Sequence, residues 1–136
     1  METRDTILQL IEQTALILRA FFNSLPLEEE SHEQQMENFT SSLKAQTTVD
    51  LDLLLTLETP LQVQHFFASH PSFDATNQEL LADLLVCWAI EVEHVNPNIK
   101  ESYSRLALLL YRLVNQTTQT YNPHRQEKIT RLASLL

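Results

Sequence analysis

The stretch EVEHVNP places Glu91 and His94 three residues apart. Carboxylate-bridged di-metal enzymes carry Glu-x-x-His pairs of this spacing inside helix bundles, where an oxygen and a nitrogen reach one ion from the same helix face. Such a centre needs ligands from several helices, and one pair supplies too few. At about 100° per residue, with Trp88 at the centre of the apolar face, Glu91 falls about 60° off centre and His94 about 120° off. The pair is therefore expected on a solvated flank, with His94 near a helix C-terminus whose dipole favours its charged form. The other Glu-x-x-His, Glu29 to His32, stands at a helix entrance among acids, and His65 and His70 are five residues apart, a poor same-face spacing. No metal or cofactor is expected. A helical-bundle metalloprotein using Glu91 and His94 is the alternative reading.

Cys87 is the single cysteine, set among apolar residues with no base within a turn to lower its pKa. It reads as an inert, buried structural thiol, and a lone cysteine suits a reducing, cytoplasmic setting. The run Glu28, Glu29 and Glu30 reads as a solvated helix entrance, not a general acid/base pair. No catalytic residue is expected.

The chain of 136 residues has no glycine, although average usage of about 7% would give roughly nine. Glycine serves wherever a backbone takes positive φ or approaches a phosphate closely. Its absence excludes phosphate-cradling loops, dinucleotide fingerprints and the Gly-x-Ser-x-Gly elbow as written, and disfavours tight β-hairpins. The opening METRDTILQLIEQ lacks the uninterrupted apolar run of a signal peptide, and the stretch from Leu80 to Ile90 is broken by Asp83 and too short to span a bilayer.

Charge is segregated. Residues 1 to 93 hold sixteen acids against Arg4, Arg19 and Lys44, a net of −13, whereas residues 94 to 136 hold six bases against Glu101 and Glu127, a net of +4. The total of −9 disfavours nonspecific binding to nucleic acid or anionic membrane. The basic end suits the acidic part of the same chain, a second copy, or an acidic partner. Within it, Arg105 and Arg112 project together, with Leu108 and Leu109 between them. Arg105, Leu108, Leu109 and Arg112 are the candidate partner-binding patch, the structural alternative being that the last helix covers the leucines. A nucleic-acid-associated regulator using Arg125, Lys128 and Arg131 is a second alternative.

Start and stop signals divide the chain into about seven helices. They run from about Asp5 to Ser24, from Ser31 to Gln46 with Ser31 and Gln34 as a capping box, through VDLDLLLTLE, and from Thr59-Pro60 to His70-Pro71. The next runs from about Asn77 to Val95 behind a Thr76-x-x-Glu79 box, and the last two start at Asn96-Pro97 and Asn122-Pro123. The second helix, with the narrow stripe His32, Met36, Phe39 and Leu43, is expected at the periphery. The fifth carries Leu81, Leu84, Leu85, Trp88, Val92 and Val95 on one face with Val86 and Ile90 nearly opposite, and is expected sandwiched at the centre.

Ala107-x-x-x-Tyr111 resembles the small-x-x-x-aromatic pattern in the second helix of tetratricopeptide repeats, with Pro123 following at a later helix start. DTILQLIEQTALIL and ALLLYRLVNQTTQTYNPHRQEKI resemble segments of small, functionally uncharacterised bacterial proteins with repeat-like helical folds. The resemblance implies an all-helical scaffold that binds other proteins or itself, with no reaction to carry over.

The expectation is one all-α domain, acidic helices over 1–70 leading into a tetratricopeptide-like helical-hairpin array over 74–136. Its expected role is that of a cytoplasmic, noncatalytic protein-interaction or adaptor module, with a homodimer as one form.

Overall fold

Six helices begin where a short polar side chain can accept a hydrogen bond from the backbone N–H three residues on. A computed structural model describes the backbone of residues 2–24, 31–93 and 96–136 and the side chains of 5–23, 31–93 and 96–136. These residues form seven α-helices and no strand: α1 (Glu2–Ser24), α2 (His32–Thr47), α3 (Leu51–Leu55), α4 (Pro60–Ala68), α5 (Ala75–Glu91), α6 (Pro97–Thr118) and α7 (Pro123–Leu135). Ser31, Asp50, Thr59, Asp74, Asn96 and Asn122 cap α2 to α7, each contact contributing on the order of 1 kcal/mol. Proline opens α4, α6 and α7, where its missing N–H costs nothing.

Three local expectations change. Helix α5 starts two residues before Asn77 because Asp74 accepts from the Asn77 N–H at 3.0 Å, so Thr76 is not the cap. Ser31 accepts from the Gln34 N–H, but the Gln34 side chain donates onward to Asn38, leaving half a capping box; the reciprocal box forms at Thr59 and Gln62. Among the described residues two take positive φ without glycine: Thr48 (64°) and Gln119 (53°) end α2 and α6, each donating its N–H to the carbonyl four residues back. That hydrogen bond offsets part of the roughly 1–2 kcal/mol that a Cβ costs in the left-handed region.

Helix α5 packs on both α6 and α1, as a helix sandwiched at the centre does, and it shares the centre with α6. Helix α6 packs against α3, α4, α5 and α7, and every residue from Leu106 to Tyr111 is buried. An apolar run that goes round the whole helix needs neighbours on all sides, and α6 has them. Helix α5 packs on α6 and α1 through Leu81, Leu84, Leu85 and Trp88, while Val86 is half-buried and Ile90 exposed, so its second apolar face is not fully covered. Helix α2 is less peripheral than its narrow stripe implies. Phe39 is fully buried, edge-on to Trp88 at 5.0 Å and to Phe21 of α1 at 5.0 Å. No described helix is long and apolar enough to cross a membrane.

Candidate functional site

Met36, Glu37, Thr40 and Ser41 follow one another along a single face of α2. Opposite them stand Asp52 and Leu55 of α3, and Ile99, Ser102 and Tyr103 of the first turns of α6. Together they enclose an open groove of about 530 Å³. Its floor is apolar: Met36, Leu55 and Ile99 are half-buried against the core and Tyr103 is buried. Glu37, Ser41 and Asp52 are exposed along the rim.

Tyr103 links this groove to an aromatic group around Trp88. Its hydroxyl lies 3.0 Å from His32 Nε2, and both rings flank Trp88, with centroids at 6.4 Å for Tyr103 and 6.2 Å for His32. Burial pushes the phenol up to about 12, with the negative charges of Asp52 and Glu91 adding to it. Burial pulls His32 below its ordinary value, and this outweighs the attraction of Glu91, whose Oε2 stands 3.8 Å from Nδ1. Both shifts oppose proton transfer from tyrosine to histidine. A protonated phenol hydrogen-bonded to a neutral imidazole is a polar clasp, and Tyr103 is not an activated nucleophile.

A second polar cluster ties α7 to α5. The Arg125 guanidinium, 6% exposed, grips Glu79 with both carboxylate oxygens engaged, at 3.1 and 3.2 Å. It also donates to Asn115 at 2.8 Å and to the Thr120 carbonyl at 3.4 Å. Three residues on, Lys128 reaches Asp83 at 2.8 Å and lies over the Tyr111 ring, while the Tyr111 hydroxyl donates to the same carboxylate. Glu79 and Asp83 are i and i+4 on α5, and Arg125 and Lys128 are i and i+3 on α7, so each pair lies on one face. The basic end thus meets the acidic part of its own chain. Arg131, the third base of the nucleic-acid reading, is exposed beside Glu127 at 3.6 Å.

The leucine patch is corrected. Leu108 and Leu109 are 7% and 5% exposed and belong to the core, because α6 is surrounded where one-sided packing was expected. Arg105 is half-buried and Arg112 exposed, so no apolar surface lies between them. Of the metal pair, Glu91 faces His32, and His94 lies outside the described residues, as does Glu29 of the other Glu-x-x-His. Among the described residues no group of three or more His, Cys, Asp or Glu side chains is placed to hold a metal ion. Cys87 is half-buried where a buried side chain was expected, since it lies off the Trp88 face of α5, and its thiol is pushed up by burial, then by Asp83, which makes it a poor nucleophile.

The groove residues Glu37, Asp52, Leu55 and Ile99 are not singled out as a site by the sequence. The signal available was an apolar residue beside an acid on two successive helices, Met36-Glu37 and Leu51-Asp52, but nothing local says that α6 completes the wall. Compared with protein-family models, curated proteins and solved structures, the chain shows no match.

Proposed function

We propose that the chain is a noncatalytic protein-interaction module whose contact surface is the groove between α2, α3 and α6. The observation that carries this reading is a half-buried apolar floor of Met36, Leu55 and Ile99 beneath the exposed polar rim. That is the anatomy of an interface, an apolar centre with a wet border. The opposed shifts of Tyr103 and His32, and the inert Cys87, favour binding over covalent chemistry. We read the α5–α6 hairpin as tetratricopeptide-like, supported by fully buried Ala107 and Tyr111 and by the bond from Tyr111 to Asp83 of α5. A cytoplasmic setting suits the free thiol.

Photo-crosslinking tests the reading. A photoreactive residue at exposed Ser41 is expected to give discrete protein adducts in the cells of origin that vanish on Ile99→Asp, while the same probe at Gln126 on α7 does not. Adducts that are identical from both positions, or that survive Ile99→Asp, defeat it.

A further inference from the structure

The charges that line the groove are of one sign. Glu37 rises from α2 and Asp52 from α3, and none of the described lining residues is cationic. Arg125 is engaged with Glu79, Lys128 with Asp83, Lys100 with Glu93 at 3.1 Å and Arg131 with Glu127, while Lys44 and Arg105, on two of the helices that line the groove, are not among its lining residues. The phenol at the base of the groove feels this field, since Asp52 and Glu91 both help to keep it protonated. Two carboxylates over an apolar floor repel anionic lipid and nucleic acid and attract a cation that carries hydrocarbon with it.

We infer that the groove takes an amphipathic helix from a partner protein, its apolar residues at i and i+4 seated on Met36, Leu55 and Ile99, its lysines or arginines meeting Glu37 and Asp52. This rests on the interaction reading above. Three features select a helix. Among the described residues there is no strand, so no sheet edge can accept an extended peptide. The floor residues come from three helices, the setting in which helix-in-groove recognition places apolar anchors one turn apart. The volume, about 530 Å³, is within the range that buries compact ligands and suits a few side chains, not a folded surface. The Ser102 hydroxyl is already committed to the Asn98 carbonyl at 3.2 Å, and the described lining residues offer the carboxylates of Glu37 and Asp52 as acceptors and no cation. A basic partner supplies what the rim lacks.

The experiment uses the full chain and a displayed library of helix-forming peptides of about four turns. Leucines are fixed at i and i+4, and flanking positions mix Lys, Gln and Glu equally. Lysine is expected to be enriched at the flanks. An enriched peptide is expected to weaken at least about ten-fold on Glu37→Gln with Asp52→Asn, and to weaken further as salt rises. Both substitutions are at exposed side chains, and an unchanged thermal transition confirms the fold. Neutral or acidic enriched peptides, or indifference to the double substitution, overturn the basic-helix inference while the groove stands if Ile99→Asp still abolishes binding. No enrichment, or binding that survives Ile99→Asp, overturns both. A homodimer that the double substitution dissolves makes a second copy the occupant and also overturns the inference.

Discussion

Helix α7 meets α5 through Arg125 on Glu79 and Lys128 on Asp83; α2 meets it through Phe39 edge-on to Trp88, with His32 beside both Trp88 and Tyr103. The α7 contact satisfies its charges with opposite charges and neighbouring amide and carbonyl oxygens. The α2 contact buries aromatic surface and leaves Trp88 Nε1 without a hydrogen-bond partner among the described residues, a cost of about 1–3 kcal/mol, while His32 Nδ1 has only Glu91 Oε2 at 3.8 Å. Ionic contacts specify orientation and rely on both partners being present. Aromatic contacts tolerate loose polar bookkeeping because the buried area outweighs it. The helix that forms one wall of the candidate groove is thus held by the less polar fastening.

Removing the aromatic anchor is the most severe way to break this comparison. Phe39→Ala deletes a side chain with no exposed surface that touches rings from α1 and α5. A loss of about 3–5 kcal/mol in urea unfolding is expected. A loss under about 1 kcal/mol means that α2 is not held by Phe39, and the contrast fails on that side.

The ionic side gives the next largest effect. Glu79→Ala leaves the buried Arg125 guanidinium without its carboxylate and is expected to cost about 3 kcal/mol. The paired change Glu79→Leu with Arg125→Met removes both charges and is expected to recover most of that loss, since apolar replacements of a buried pair are often neutral. Equal losses in the single and paired variants show that packing, not charge, fastens α7.

The two fastenings were also unequally legible in the sequence. The concentration of bases in residues 94 to 136 against acids upstream announced an ionic contact within the chain as one of three outcomes, and Asn96-Pro97 and Asn122-Pro123 marked the helices that bring it about. The stripe His32, Met36, Phe39 and Leu43 put His32 on the inward face of α2, but nothing in HEQQMENF singled out Trp88 and Tyr103 as its neighbours, because periodicity is silent on contacts as far as 71 residues away. Leu108 and Leu109 misled for a related reason. Periodicity ranks the faces of a helix but does not count its neighbours, and α6 packs against α3, α4, α5 and α7 and meets α2 at Tyr103. The groove was hidden for the same cause: each wall looks ordinary alone, and only the meeting of α2, α3 and α6 makes a site.

The smallest expected effect separates the fastenings by pH. His32 lies below its ordinary value because burial disfavours the imidazolium, while Glu91 and Glu33 only partly counter it. The unfolded chain therefore binds the proton more readily than the folded one. The stabilising contribution of the neutral ring is complete above about pH 6.5 and declines as pH falls through that value toward the lower folded one. Replacing His32 by Gln removes this titration and leaves the α7 contact, with its Arg125 and Lys128 pairs, untouched. Between about pH 7.5 and about pH 5 the stability difference, parent minus His32→Gln, is expected to shrink. His70, which burial also lowers, is common to both proteins and cancels in that difference. A difference that stays constant means that burial and the Glu91 charge cancel at His32, and one that grows on acidification means that the charge outweighs burial, in which case α2, like α7, is fastened by charge.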